Sequence, residues 1–157
     1  MKKIAFLSFF GVIFLLACNR PEKIFQQENI FTDDTWHADS ICNFDCSISD
    51  TTHPYNIFLT LSNTQLYKYQ NLYLFVTIKF PHGVVRVDTV DCFLANDKGK
   101  WYGKPDDNFY RQKLLYRKNI LFPYAGLYQF QIEQAMRQKR LNGIHAIGMM
   151  IEETEKK

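Results

Sequence analysis

No apolar run in this chain is long enough to cross a membrane as a helix. The longest, Ile4 to Ala17, has 14 residues, against the roughly 20 that a bilayer core requires. Histidine is sparse, at 4 in 157 residues, and His37, His53, His82 and His145 form no His-x-x-x-His pair. Cys42-x-x-x-Cys46 supplies half of a zinc site, but no second ligand pair stands near it in sequence. A Gly-x-Ser-x-Gly elbow, a phosphate-binding loop and a His-Glu-x-x-His motif are all missing. Asp106 and Asp107 are adjacent in a loop, so their carboxylates do not converge on one substrate bond. The sequence therefore predicts no enzyme, no metal and no cofactor. Net charge is also small: the chain is formally +3, and near +1 once Lys2 and Lys3 are set aside. A nucleic-acid binder would show a concentrated basic face instead. Glycine and proline are few, at 7 and 5, whereas Phe and Tyr number 14 and 9. Such a balance suits strands, whose pleated surfaces favour aromatic and β-branched side chains.

The N-terminus carries the sharpest signal. Lys2 and Lys3 precede the short apolar run, which ends in Leu15-Leu16-Ala17-Cys18. A basic start, an apolar middle and small residues at the cut make a secretory signal. The cysteine directly after Leu-Leu-Ala makes it a bacterial lipoprotein signal. The Cys18 thiol is expected to receive a diacylglycerol, the peptide to be cut before it, and the new amino terminus to be acylated. Several acyl chains on one residue hold a protein to a bilayer far more firmly than one. Cys18 is thus the expected lipidation site, and the lipid bilayer the first expected partner.

With Cys18 lipidated, Cys42, Cys46 and Cys92 remain, an odd number. On one strand, Cys42 and Cys46 would lie roughly 13 Å apart, too far to bridge. Cys92 could reach one of them across a sheet, but three buried thiols acting as small apolar residues is the expected state.

Residues 1–17 read as the signal peptide, with its signal helix, and 18–35 as a polar tether. Residues 36–153 read as the folded domain and 154–157 as a charged tail. From Trp36 the pattern has period two, with Cys42, Phe44, Cys46 and Ile48 on one face. Further strands are expected over Tyr55–Ser62, Leu72–Phe80, Val85–Leu94, Lys113–Phe122, Gly126–Ile132 and Ile144–Ile151. Asn96-Asp97-Lys98-Gly99 forms a hairpin turn leading into Trp101 and Tyr102. Gly103 to Asn108 reads as a loop, and Gln134 to Lys139 as one or two helical turns. Seven or eight strands with one short helix predict an all-β fold, a single β-sandwich of jelly-roll or immunoglobulin-like type.

One constellation stands out as a binding candidate. Trp101 and Tyr102 flank the hairpin, Tyr110 follows in the next segment, and Tyr124 lies in Phe122-Pro123-Tyr124-Ala125-Gly126. Aromatic faces beside polar loops can anchor a protein partner or stack on a sugar ring. The alternative is that they cover one edge of the core.

Several segments together carry a family resemblance. They are the Cys18 motif, Trp36, Tyr69-Gln70-Asn71-Leu72-Tyr73-Leu74-Phe75, Asp88-Thr89-Val90, and the run from Leu94 through Gly103. Phe122-Pro123-Tyr124-Ala125-Gly126-Leu127-Tyr128, Gln134-Ala135-Met136-Arg137, Leu141-Asn142-Gly143-Ile144 and Ile147-Gly148 complete them. In this order and spacing, the chain resembles the gliding-motility-associated lipoprotein H (GldH) family over nearly all of its mature length. The resemblance implies a lipid-anchored protein of the cell envelope in a gliding-type Gram-negative bacterium. It implies a non-catalytic subunit or assembly factor of gliding machinery linked to a protein secretion system, with other envelope proteins as partners. Cys18 alone maps onto a functional position of that family. The absence of an acidic run after Cys18 points to the periplasmic side. A glycan-binding lipoprotein using the loop aromatics is the alternative reading.

Overall fold

The computed structural model describes residues 21–154. Cys18 and the expected signal helix lie outside the described residues. The described chain is almost entirely strand: β1 (Lys23–Ile30), β2 (Thr35–His37), β3 (Cys42–Ile48), β4 (Tyr55–Asn63), β5 (Asn71–Lys79), β6 (Val85–Phe93), β7 (Lys104–Asp106), β8 (Phe109–Ile120), β9 (Gly126–Gln134), β10 (Arg140–Asn142) and β11 (Ile144–Glu153). A five-stranded sheet runs β1-β11-β4-β8-β7, a four-stranded sheet runs β3-β9-β5-β6, and β10 and β2 form a small ribbon. Every pairing is antiparallel.

Alternation explains the core. In β3 the residues Cys42, Phe44, Cys46 and Ile48 are buried and those between them exposed. Leu72, Leu74, Val76 and Ile78 of β5 and Tyr128, Phe130 and Ile132 of β9 line the same inner face. From the other sheet come Ile57, Leu59 and Leu61 of β4 and Ile147, Met149 and Ile151 of β11. Both inner faces meet in one cluster, which the ribbon completes with Trp36 and Leu141. β11 differs from the rest in being buried almost throughout. It lies between β1 and β4, and its outward positions are the small Ala146 and Gly148, then Met150 and Glu152, beneath neighbouring side chains.

Eleven strands replace the expected seven or eight, and the additions share a cause. β1 falls in the segment read as tether. Its sequence Lys-Ile-Phe-Gln-Gln-Glu-Asn-Ile leaves all but Phe25 and Asn29 exposed, so as an edge strand it has almost no apolar periodicity to read. β7 occupies part of the Gly103–Asn108 loop, and β8 starts at Phe109 rather than Lys113. The expected short helix is absent. Gln134 ends β9, and its side chain donates to Gln138 O at 2.8 Å and accepts from Met136 N–H at 2.8 Å. That side chain captures the backbone groups a helix would use. The one helical turn among the described residues is a 3-10 turn at Thr32–Asp34. The hairpin turn forms as expected: the Asn96 side chain accepts from Lys98 and Lys100 N–H at 3.0 and 2.9 Å, and Gly99 takes φ +75.

Candidate functional site

The four aromatics singled out by sequence go to three places. Trp101 leans between Tyr67 and Tyr110, with ring centroids 6.4 and 5.8 Å away, and its indole N–H donates to Gln65 at 3.0 Å. Gly103 permits this approach, since a Cβ there would sit 2.9 Å from the Tyr110 backbone. Both rings are half-buried, so this pair covers one end of the core. Tyr102 is 56 % exposed. The register carries Lys104 of β7 opposite Arg111 of β8, and Tyr102, two residues before Lys104, lines the outer face of the five-stranded sheet. Tyr124 lies apart from the others, edge-on to His82 at 4.6 Å, with its backbone bonded to the Tyr128 hydroxyl.

The buried thiols have no reactive environment. Burial pushes Cys46 up to about 11 and Cys92 up to about 12, and raises Cys42 against a weaker opposing bond from Asn29. All three are free. Asp106 is held by the Arg111 guanidinium. His145 pairs with Asp34 at 2.6 Å and stacks on Phe109 at 3.8 Å, which ties β11 to the 3-10 turn. Among the described residues no group of three or more His, Cys, Asp and Glu side chains is placed to hold a metal ion. No described helix is long and apolar enough to cross a membrane.

An exposed apolar surface lies on the β5–β6 hairpin. Tyr73 and Phe75 of β5 stand 41 % and 43 % exposed, and Val85, Val87 and Phe93 of β6 stand 55 to 60 % exposed. The other half of the same outer face is polar, with Asn43, Asp45, Gln129 and Gln131 on β3 and β9. β6 is also the free edge of its sheet. Its hydrogen bonds to β5 fall on even positions, in step with Phe80 N–H to Val84 O and Leu94 N–H to Gln70 O. The backbone groups of Val85, Val87, Thr89 and Asp91 therefore point away from the sheet. The sequence reading placed a strand at Leu72–Phe80, and β5 does lie inside its sheet, between β9 and β6, but it did not single out the outer face of this hairpin. The signal was there: a strand apolar on both faces needs cover on both.

Side chains fasten this edge to β8. Asp88 accepts from the Tyr116 hydroxyl and from Arg117, with Arg86 at 3.3 Å, and Gln112 donates to Phe93 O at 3.1 Å. Burial works against the Asp88 carboxylate, but the Tyr116 hydroxyl and the two arginines outweigh it and hold its pKa below the usual range. Burial, reinforced by that carboxylate, pushes Tyr116 up to about 12. At neutral pH the cluster is a fixed ionic clasp rather than a proton-transfer site.

A family model described as GldH lipoprotein matches residues 23–151. A gliding motility lipoprotein GldH homolog of Christiangramia forsetii is 32% identical, over 96% of this chain and 95% of its own length. Gliding motility lipoprotein GldH of Flavobacterium johnsoniae is 31% identical, over 92% of this chain and 93% of its own. Among solved structures, infectious bursal disease virus of the Gx strain aligns with a TM-score of 0.34 at 14% identity, covering 87% of this chain and 32% of that one. That likeness carries no weight for fold or function.

Proposed function

This chain belongs to the GldH lipoprotein family, and from that premise we propose that it acts without catalysis, as a subunit or assembly factor of gliding machinery and its associated protein secretion system. The family is one of envelope lipoproteins associated with gliding motility. Cys18 carries the acyl chains, the domain faces the periplasm, and the two sheets work as a sandwich-like scaffold that presents binding edges. The observation that supports a docking role is the β5–β6 surface, where an apolar outer face adjoins unpaired backbone groups. Soluble proteins normally guard such an edge. The complementary occupant is an extended segment of another envelope protein, which would pair with β6 and lay apolar side chains beside Val85, Val87 and Phe75.

Proline at position 87 tests this directly. Val87 N–H points away from β5, so Val87→Pro removes an outward donor and leaves the internal ladder intact. In pull-downs from detergent-solubilised envelopes, this variant is expected to lose its machinery partners while unfolding within a few degrees of the parent. Undiminished recovery of those partners would refute docking at β6.

Anchoring has its own test in the native host. Cys18→Ala should move the protein from the membrane fraction to the soluble one, with gliding and secretion both lost. A soluble variant that still supports both would show the anchor to be dispensable and overturn the anchored role.

A further inference from the structure

The outer face of the five-stranded sheet holds a trough of about 560 Å³. Register builds it. On β11, Ala146 and Gly148 lie beside Ser62 and Thr60 of β4, and Met150 lies beside Phe58; Thr60, Ser62 and Met150 line the trough. β1 raises Gln26 and Glu28 along one flank. β8 raises Arg111 and Lys113 along the other, opposite Ser62 and Thr60, and β7 adds Lys104. Tyr102 also lines the trough.

The chemistry of the lining narrows what fits. Charges in the walls are largely spoken for: Arg111 pairs with Glu28 at 3.4 Å and with Asp106, and Lys113 reaches both Glu152 oxygens at 2.9 Å. Lys113 also lies over the Phe58 ring, 3.8 Å from its centroid. An anionic phosphate group would have to displace these pairs. The floor strands β11 and β4 are bonded on both sides, so they have no free edge for an added peptide strand. What is available is a set of amide, hydroxyl and charge-paired donors and acceptors around a shallow floor that includes Met150, with one exposed ring, Tyr102, in the lining. Concave sites with convergent polar groups and an aromatic platform suit polyhydroxyl ligands.

We propose that this trough binds a neutral oligosaccharide chain, laid along the β4–β11 floor with one sugar ring stacked on Tyr102. Gln26 and Glu28 on one wall and Arg111 and Lys104 on the other take up its hydroxyls, and Thr60 and Ser62 meet it from below.

The test is isothermal titration of the acylated full-length protein in detergent with three probes at millimolar concentration: a β-1,4-linked N-acetylglucosamine hexamer, a glucose hexamer, and an extended Gly-Ser-Thr-Gln peptide. Saturable binding of either sugar supports the proposal. Preference for the first identifies an acetamido chain of cell-wall type as the source, and preference for the second a plain hexose glycan. Tyr102→Ala should weaken binding about tenfold, and Thr60→Arg, which fills the floor, should abolish it. Tyr124→Ala, far from the trough, should leave it unchanged. Because Tyr102 is 56 % exposed, its truncation keeps the test valid should the floor variant fail to fold. Absence of heat with both sugars, unaltered affinity in Tyr102→Ala, or displacement of the sugar by the peptide would each overturn it.

Discussion

Gly143→Ala is expected to cost about 2–5 kcal/mol, a large share of the roughly 5–15 kcal/mol that holds a domain of this size together. Gly143 takes φ +89, a region that costs an L-residue about 1–2 kcal/mol. The larger part of the cost is spatial. A Cβ at this position would lie 2.3 Å from Tyr67 N, 2.7 Å from Tyr67 Cα and 2.8 Å from Leu66 C. These are main-chain atoms, so no rotamer change relieves the overlap, and overpacking of this kind adds about 1–3 kcal/mol. Relief by moving the chain would strain two bonds at once: Gly143 N–H donates to Asp34 O at 2.8 Å, and Gly143 O accepts from Thr64 N–H at 2.8 Å. Gly143 is therefore where the 3-10 turn, the β4–β5 connection and the β10–β11 corner are fastened together. Gly99→Ala provides the contrast. It too has positive φ, at +75, yet nothing lies within 4 Å of its added Cβ, so only about 1 kcal/mol is expected. Urea denaturation of both variants checks this. Equal midpoint shifts would show that conformation alone, not close approach, governs Gly143.

Trp36→Ala is expected to cost a similar amount, about 3–5 kcal/mol. Trp36 is 0 % exposed and stacks on Phe31 at 4.8 Å with an interplanar angle of 20°. Its indole N–H donates to Ser40 O at 2.9 Å, so truncation also leaves a carbonyl short of a partner. β2 has only three residues and pairs only with the equally short β10. So short a ribbon has little stability of its own; burial of Trp36 and Leu141 keeps it in place. Trp36→Phe should recover part of the loss, because the packing survives and the indole bond does not. A denaturation series in which alanine and phenylalanine behave alike would assign the whole effect to the hydrogen bond.

The sequence was most legible where a strand has one face in and one face out. β3 and β9 alternate cleanly, and period two alone picks out their inner residues; β5 is apolar on both faces, so its inner side shows only in the fold. It was least legible at the margins of the sheets. β1 scatters Ile24, Phe25 and Ile30 among polar residues without period two, because an edge strand with a solvated outer face needs only Phe25 and Asn29 directed inward. Gln134 looked helical by local propensity, but its amide closes a tight bend instead. The candidate sites show the same division. Trp101 and Tyr102 are adjacent in sequence, yet one packs between Tyr67 and Tyr110 while the other faces out over the sheet. Their roles follow from strand register, which a single hairpin does not reveal. The trough is harder still to foresee. Thr60, Ser62 and Met150 are unremarkable one by one, and they share a floor only because β4 and β11 are neighbours.

Where β1 begins sets a leash on the whole domain. Five residue steps separate Cys18 from Lys23, and an extended chain covers at most ~3.6 Å per residue. An acyl anchor at Cys18 therefore confines the first residue of the five-stranded sheet to within roughly 18 Å of the bilayer surface. Lys23 pairs with Glu152, and Glu153 with Tyr55, so the ends of three strands share that membrane-proximal position. On the anchoring proposed above, the opposite pole, with Ile30, Asn63 and the Trp36 ribbon, would point away from the bilayer. The domain would then have no long tether to range on, and a partner bound at the β6 edge would be drawn down to the membrane with it.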